Sequence, residues 1–535
     1  MRFDALHYRY PSRRTLVYGR RGLVATSTPL AAQAGLRILR EGGNAIDAAV
    51  ATAAALTVTE PTSNGIGGDA FALFSFRGSL YGLNGSGWSP ALLTPGLLKE
   101  KGFEKMPAHG WLPVTVPGIP ASWAALVRRF GRLSLSQVVA PAVEYATEGY
   151  PVSPVTARFW ERAVKRYREI LKGEEFAPWF SLFAPQGRGP SPGEIWSSPE
   201  MGQTLALIGE TDARDFYEGS LAEAIEDFAV KTGGALRLPD LAEFAPRWVE
   251  PLGVDYRGKK IWELPPNGQG MAALMALNIL SELPGAPFDS AENIHYSMEA
   301  MKLAFSDCMA YLADPSSMPF SPDVLLSKSY AAERARLIGD KALDPFPGEP
   351  QGSGTVYLAT ADGEGNMVSY IQSNYMGFGS GIVIPGTGIA LQNRGHGFSL
   401  EEAHPNVLAP RKRPYHTIIP AFLTESDNTP LGPFGVMGGF MQPQGHLQVA
   451  SALIDGRHNP QEALDRPRWQ WHQGKRITCE AAFDSATLEK LRAMGHDIEK
   501  DPEGFFGRGE MILKTEEGSL CGATDHRADG TVAAW

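Results

Sequence analysis

The sequence has little of what marks several large classes of protein. Its 535 residues include only three cysteines, widely spaced at Cys308, Cys479 and Cys521, so we expect no disulfide framework and a reducing compartment. The most apolar stretch, residues 45–58, is alanine-rich and too short to cross a bilayer. Residues 1–21 lack the apolar segment of a signal peptide. We therefore predict a soluble, cytoplasmic protein that has no membrane partner.

Basic residues are not in excess either. Lysine and arginine number 49 against 59 acidic residues, and the formal charge of −10 disfavours a nucleic-acid partner. Paired Cys-x-x-Cys motifs, the His-Glu-x-x-His zinc motif and the glycine-rich phosphate loop are all missing, and the eleven histidines are scattered. These absences predict catalysis without a metal or other cofactor. The densest basic cluster, Arg411-Lys412-Arg413, is typical of a solvated surface loop.

The order of helix-like and strand-like segments favours a layered α+β protein. Length alone allows about three to four domains or one large layered fold. Hydrophobic periodicity and turn residues predict the main elements. They are a strand at 22–26, helices at 30–40 and 45–56, mostly helices over 117–330, a hairpin of strands 355–360 and 367–374 around a turn at 362–366, and a closing strand at 510–514.

The junction between Gly354 and Thr355 could generate an unusual nucleophile. A threonine that opens a strand, such as Thr355, is ordinarily just a β-branched residue in a sheet. If the peptide bond before Thr355 were cut, however, its hydroxyl and a free α-amine would belong to one residue. That amine has a pKa of about 8 and can act as the base for the hydroxyl. Gly354 suits a scissile bond, because glycine tolerates a strained backbone best.

Several short blocks of residues are weak indications when taken singly, but together they form a pattern that is specific to one protein family. They are Gly22-Leu23-Val24-Ala25, Gly42-Gly43-Asn44-Ala45-Ile46-Asp47-Ala48, Gly65-Ile66-Gly67-Gly68-Asp69, Val116-Pro117-Gly118, Gly379-Ser380-Gly381, Pro385-Gly386-Thr387-Gly388 and Asp529-Gly530. With these blocks the sequence resembles the γ-glutamyltranspeptidase family of N-terminal-nucleophile hydrolases over nearly its whole length. The resemblance implies a four-layer αββα fold that is made as a proenzyme. Self-cleavage between Gly354 and Thr355 would give a large subunit, residues 1–354, and a small subunit, residues 355–535, which together form one fold.

The resemblance also implies catalytic roles. Thr355 would attack an amide carbonyl and form an acyl-enzyme, with its freed amine as the base. Ser373 matches the hydroxyl residue that hydrogen-bonds the nucleophile, and Gly438-Gly439 matches the family's oxyanion hole of backbone N–H groups. From the residues alone, Gly-Gly fits an ordinary turn equally well, and Ser373 an ordinary polar strand end.

The sequence departs from the family where the substrate is held. Ser86 stands where the family has an arginine for the α-carboxylate, and the family's aspartate for the α-amine is replaced by Gly397. Arg394, at another amine-binding position, reverses the local charge, so we expect this site to bind a carboxylate rather than an ammonium. Five residues are candidates for substrate binding: Ser86, Tyr375, Arg394, His416 and Thr417. For Arg394 and His416, an internal ion pair or buried hydrogen bond is an equally good prediction.

The resemblance is closest to family branches known as cephalosporin acylases and oxamate amidohydrolases. It predicts hydrolysis of a small carboxylate-bearing acyl amide, of oxamate or glutaryl type. A γ-glutamyltransferase or glutathione hydrolase is one alternative. Another is an unprocessed binding homologue without turnover, since the usual Thr-Thr-His is here Thr355-Val356-Tyr357. The expected partners are the small-molecule amide and the two subunits with each other, and a higher oligomer is left open.

Overall fold

The structure, a computed structural model, describes residues 14–345 and 354–535. Most of the polar leader and most of the breaker-rich stretch before Thr355 lie outside these ranges. The strands are β1 (Val17–Gly19), β2 (Gly22–Thr26), β3 (Asp69–Phe76), β4 (Ser79–Gly85), β5 (Tyr150–Pro151), β6 (Ile195–Trp196), β7 (Arg247–Val249), β8 (Leu252–Tyr256), β9 (Lys259–Glu263), β10 (Gly354–Asp362), β11 (Met367–Tyr375), β12 (Val383–Ile384), β13 (Ile389–Ala390), β14 (Ala421–Glu425), β15 (Pro430–Met437), β16 (Trp469–Gln473), β17 (Arg476–Cys479), β18 (Asp497–Lys500), β19 (Arg508–Lys514), β20 (Leu520–Thr524) and β21 (Thr531–Ala534). The helices are α1 (Pro29–Arg40), α2 (Ala45–Thr59), α3 (Pro95–Glu100), α4 (Ile119–Phe130), α5 (Leu135–Glu148), α6 (Pro154–Ile170), α7 (Ala177–Phe183), α8 (Pro199–Glu210), α9 (Arg214–Glu218), α10 (Ser220–Thr232), α11 (Leu238–Ala242), α12 (Gly270–Ser281), α13 (Ala291–Tyr311), α14 (Pro322–Leu326), α15 (Lys328–Ala335), α16 (Met441–Ile454), α17 (Pro460–Asp465) and α18 (Ser485–Ala493).

Two large antiparallel sheets form the centre of the molecule. The first sheet has the strand order β21-β2-β10-β11-β3-β4-β7, and the second has the order β1-β20-β19-β15-β14-β9-β8. The two sheets pack face to face through side chains such as Leu73, Phe422 and Ile512. Helices α1, α2 and α4 cover the outer face of the first sheet, and α12 and α16 cover that of the second. This is an α+β, four-layer αββα fold, and it confirms the predicted fold class.

Helix α2 is buried along its whole length, which explains its alanine-rich sequence. It begins at a capping box, in which the Asn44 side chain accepts from the backbone of the first turn and Asp47 accepts from the Asn44 amide. Alanine side chains let its backbone pack closely against β10 and β11. Gly35 of α1 meets Thr52 of α2 so closely that a Cβ atom at Gly35 would clash. The helix pair therefore supports the strands that carry Thr355 and Ser373.

The structure also contains strands where the sequence pattern indicated none. Strands β7–β9 lie in the region that was predicted to be mostly helical. The strand predicted at 510–514 is confirmed as β19, but the prediction that it closes the chain was wrong, because β20 and β21 follow it. β7, β8 and β21 are edge strands of the two sheets. Edge strands are half-exposed and need few apolar residues, so their alternation is weak. Within the described ranges, no helix combines the length and apolar character needed to cross a membrane.

Candidate active site

Thr355 lies near the start of β10, inside the first sheet. β10 and β11 form the predicted hairpin, and its turn is closed by Asp362 Oδ1, which accepts from the Glu364 and Asn366 amides at 2.9 and 3.1 Å. The hairpin register brings Thr355 opposite the end of β11, where Thr355 Oγ1 donates to Ser373 Oγ at 3.1 Å. Both side chains are fully buried. The structure therefore brings together the two hydroxyl residues that the sequence selected.

The Ser373 oxygen is held by backbone as well as by Thr355. The Tyr375 amide donates to Ser373 Oγ at 2.8 Å. Tyr375 itself has φ = 76°, in the left-handed region that a large side chain rarely adopts. This conformation ends β11 and turns the chain toward the glycine-rich loop that follows. The Ser373 hydroxyl is thus fixed in front of the Thr355 hydroxyl.

Gly438 and Gly439 lie between the end of β15 and the start of α16. Both have positive φ, 138° and 59°, and a Cβ atom at Gly438 would come within 2.9 Å of the Phe505 ring. Among the described residues, neither amide N–H donates a hydrogen bond, while the Gly439 carbonyl is fixed by Gln269 Nε2 at 2.8 Å. β15 packs against β10 across the interior of the sheets. Two unused N–H groups at a helix start can stabilise a developing oxyanion.

Arg394 begins a short 3-10 turn, Arg394–Gly397, and is fully buried. Its Nη1 donates to Thr417 Oγ1 at 2.7 Å, and its guanidinium carbon lies 4.2 Å from the centre of the Tyr375 ring. Nε and Nη2 are buried without a partner among the described residues. Burial lowers the pKa of Arg394 to about 10, against the opposing fields of Tyr375 and Asp69. Two buried, unsatisfied donors on a cation form a geometry that a carboxylate can satisfy.

His416 and Asp69 form a buried pair beside Arg394. His416 Nδ1 accepts from the Ile418 amide at 3.3 Å, so its proton lies on Nε2, which donates to Asp69 Oδ2 at 3.0 Å. Burial holds the pKa of His416 well below its usual value, so the ring is neutral. Both ring nitrogens are therefore used inside the protein. Two roles were predicted for His416, contact with the substrate or an internal hydrogen bond, and this arrangement is the internal hydrogen bond.

Asp69 is a carboxylate that the sequence did not place in the site. Its Oδ1 accepts from Gln392 Nε2 at 2.8 Å and from the Gly87 amide at 3.1 Å. Burial raises the pKa of Asp69 to about 7, although the field of Arg394 opposes this shift. With three donors already on its two oxygens, Asp69 has little capacity left for a substrate ammonium. The sequence held one indication that Asp69 has a special role, because Asp69 is the only acidic residue between Glu60 and Glu100.

Ser86 lies on the same side of the site, with its hydroxyl used internally. Ser86 Oγ donates to Asn84 Oδ1 at 2.7 Å, and the Ser86 carbonyl accepts from Arg413 Nε at 2.9 Å. Arg413 is 2% exposed, and its Nη2 has no partner in the described part of the chain. The prediction of a solvated loop at 411–413 was therefore wrong for Lys412 and Arg413, which are both buried. Only Arg411 lies at the surface, where it pairs with Glu243.

A cavity of about 150 Å³ opens at the Arg394–Gly397 turn. Its walls include Tyr375, Tyr415 and Phe440, the last of which directly follows the Gly438-Gly439 pair. We call it the Tyr375 cavity. Neither Arg394 nor Thr355 is among its lining residues, and it borders the site through Tyr375, whose ring the Arg394 guanidinium contacts, and through Phe440.

One cluster in the described residues has the composition of a metal site. His295, Glu299 and His496 bring ligand atoms within 4.8 Å of one another. The ammonium of Lys302 lies 2.7 Å from Glu299 Oε1 and 3.5 Å from His496 Nδ1, and His295 Nδ1 lies 2.8 Å from His496 Nε2. A lysine cation among the ligand atoms supplies the positive charge that a metal would bring. The cluster therefore fits a buried hydrogen-bond network rather than a metal centre.

Comparisons with known proteins agree on one family. The γ-glutamyltranspeptidase family model matches residues 31–535. Over 529 residues the chain is 38% identical to the glutathione hydrolase-like YwrD proenzyme of Bacillus subtilis, and over 529 residues it is 34% identical to the oxamate amidohydrolase proenzyme of Klebsiella pneumoniae; each match covers 96% of this chain and 98% of the relative. Among solved structures, the cephalosporin acylase of Bacillus halodurans matches with a TM-score of 0.97 and 55% identity, over 100% of this chain and 99% of that one.

Proposed function

The chain belongs to the γ-glutamyltranspeptidase family and is an amide hydrolase, and from this premise we propose that it is a self-processing enzyme whose nucleophile is Thr355. The observation that carries the proposal is the 3.1 Å hydrogen bond from the Thr355 hydroxyl to Ser373, buried at the start of β10. Relatives named as proenzymes support a chain that is cut before it acts. Cleavage after Gly354 would free the Thr355 amine.

The two products of cleavage would remain one molecule. In the first sheet, β10 and β11 of the small subunit, residues 355–535, lie between β2 and β3 of the large subunit, residues 1–354. Separation would expose both edges of this hairpin and part of the sheet interior. The subunits are therefore expected to stay together as a heterodimer.

The reaction follows from the roles of these groups. The freed amine of Thr355, with a pKa of about 8, takes the proton of its own hydroxyl as the oxygen attacks the amide carbonyl. The N–H groups of Gly438 and Gly439 stabilise the oxyanion, and one such donor is worth about 3–4 kcal/mol. The C–N bond then breaks, and the leaving nitrogen receives the proton from the Thr355 amine. Water releases the acyl group from Thr355 by the same steps.

The preferred acyl group is small and carries a carboxylate. The buried donors Nε and Nη2 of Arg394 support this assignment, and the neighbouring Tyr375 cavity of about 150 Å³ offers room for a small acyl group. Asp69 is occupied by Gln392, Gly87 and His416, which disfavours the α-ammonium of a γ-glutamyl group. An oxamate-type or glutaryl-type amide fits these features best. A glutathione hydrolase is the second candidate, and the name of the 38% identical Bacillus subtilis relative favours it.

Replacing Thr355 tests the proposal. Purified wild-type protein should give two bands on a denaturing gel and hydrolyse glutaryl anilide in preference to γ-glutamyl anilide. Thr355→Ala should remain one band and release no aniline, whereas Thr355→Ser, which keeps a hydroxyl, should be processed slowly. A wild-type protein that stays uncut and binds amides without turnover would support the binding homologue instead. Preference for γ-glutamyl anilide would favour the glutathione hydrolase.

A further inference from the structure

A second cavity, of about 320 Å³, lies next to the end of β11, where Met376 and Gly377 line it. Its floor is formed by α6 and by the residues that follow β11. The apolar walls are Phe159, Tyr167, Met376 and Phe505. The polar part of the lining is dominated by three arginines, Arg162, Arg166 and Arg508. The cavity thus combines flat aromatic surfaces with positive charge.

Its position relative to the reacting groups is fixed by neighbouring residues in the chain. Tyr375 lines the Tyr375 cavity defined above, and the next residue, Met376, lines the second one. In the same way Phe440, after the glycine pair, lines the Tyr375 cavity, whereas the Phe505 ring packs against Gly438 and lines the second cavity. Both cavities therefore border the end of β11 and the Gly438-Gly439 pair. An amide held there can extend its acyl part into one cavity and its nitrogen substituent into the other.

The three arginines differ in how their charge is balanced. Arg508 is held by Glu60 at 2.8 Å, and Arg162 lies 3.4 Å from Glu503. Arg166 has no acidic partner and no hydrogen bond among the described residues, and its side chain is exposed. The charge of Arg166 acts on His109, which also lines the cavity. Burial is the main cause that lowers the pKa of His109 to about 4, and the positive charge of Arg166 is the next largest cause. Arg166 is thus the cation of this cavity that is available to an anion.

We propose that this second cavity binds the leaving amine, and that it selects an amine with a flat apolar body and a carboxylate. The inference rests on the proposed function, because it takes Thr355 as the nucleophile. The ring would lie among Phe159, Met376 and Phe505, and the carboxylate would face Arg166. An oxamate would release only ammonia and leave this cavity unfilled. Between the two favoured substrate types, the cavity therefore supports a glutaryl-type acyl group on an aromatic amine.

Two amides that differ only in the leaving group test this assignment. N-Glutaryl-4-aminobenzoate and glutaryl anilide share the acyl group, so the ratio of their kcat/KM values reports the leaving-group carboxylate alone. An exposed ion pair contributes up to about 1 kcal/mol, so the wild-type ratio should be about five in favour of the aminobenzoate. In Arg166→Gln the ratio should fall to about one. The control is Arg168→Gln, on the same helix but outside the cavity lining, which should keep the wild-type ratio.

A binding measurement separates this inference from the proposed function. Calorimetric titration with 4-aminobenzoate and with aniline requires no turnover, and 4-aminobenzoate should bind about fivefold more tightly, with the difference lost in Arg166→Gln. If neither amide is hydrolysed, the proposed acyl group is wrong, and the titration alone decides the role of the cavity. Equal binding of the two amines, or an equal loss in Arg168→Gln, would overturn the inference.

Discussion

Replacing Arg394 by alanine should abolish the preference for a carboxylate in the acyl group. Arg394 Nη1 is held by Thr417, and Nε and Nη2 are buried without a described partner. A hydrogen bond to a charged group contributes about 1.5–3 kcal/mol. Since 1.4 kcal/mol corresponds to a factor of ten, losing this contact should cost about 10- to 100-fold in kcat/KM.

The assay compares glutaryl anilide with pentanoyl anilide, which has the same chain length and no carboxylate. The ratio of their kcat/KM values cancels any change in the reactivity of Thr355. This ratio should fall about 10- to 100-fold in Arg394→Ala, and less in Arg394→Lys, which keeps the charge but not the two-pronged geometry. Thermal unfolding controls for folding, because Arg394 is fully buried. An unchanged ratio in a folded Arg394→Ala protein would refute the reasoning and leave Arg394 a structural partner of Thr417.

Two further predictions concern the neighbouring groups. Ser373→Ala removes the acceptor of the Thr355 hydroxyl and should lower kcat about fivefold, because the lost hydrogen bond is worth about 1 kcal/mol. The control variant Ser369→Ala, on the same strand, should keep the wild-type kcat. Equal effects of the two variants in steady-state assays would contradict this prediction. Asp69 is neutral below its pKa of about 7 and ionised above it. The ionised carboxylate weakens the positive field of Arg394. The KM for glutaryl anilide relative to that for pentanoyl anilide should therefore rise as the pH passes through 7. In Asp69→Asn the ratio should stay flat from pH 6 to 8, and a persisting rise would assign the titration to another group.

The hairpin that carries Thr355 and Ser373 could be predicted because its signals are local. A glycine-rich turn at 362–366 separates two segments of equal length, and this symmetry sets the register that brings the two hydroxyls together. The resemblance added Gly438 and Gly439, whose proposed role depends on their φ angles and on N–H groups that have no partner among the described residues; no sequence pattern displays either feature. Local sequence signals therefore predicted the hairpin of the proposed nucleophile, and the family pattern supplied the proposed oxyanion site.

The charge of the proposed substrate pocket could not be predicted in the same way. Asp69 comes from β3, whereas its partners Gln392 and His416 lie more than 300 residues later in the chain. Arg413 is buried because its guanidinium reaches the Ser86 carbonyl, although its two basic neighbours suggested a solvated loop. Such contacts depend on the packing of distant loops against the first sheet. Predictions made one segment at a time miss these contacts, because none of the residues involved stands out within its own segment.

Mass spectrometry of the active, purified protein tests the central claim most directly. The claim is that Thr355 reacts only after the peptide bond that precedes it has been cut. Intact masses should match two chains, with a small chain that begins Thr355-Val356-Tyr357-Leu358, and the hydrolase activity should rise in proportion to the cut fraction. A single uncut chain that hydrolyses amides, or an active small chain that begins at another residue, would contradict the account.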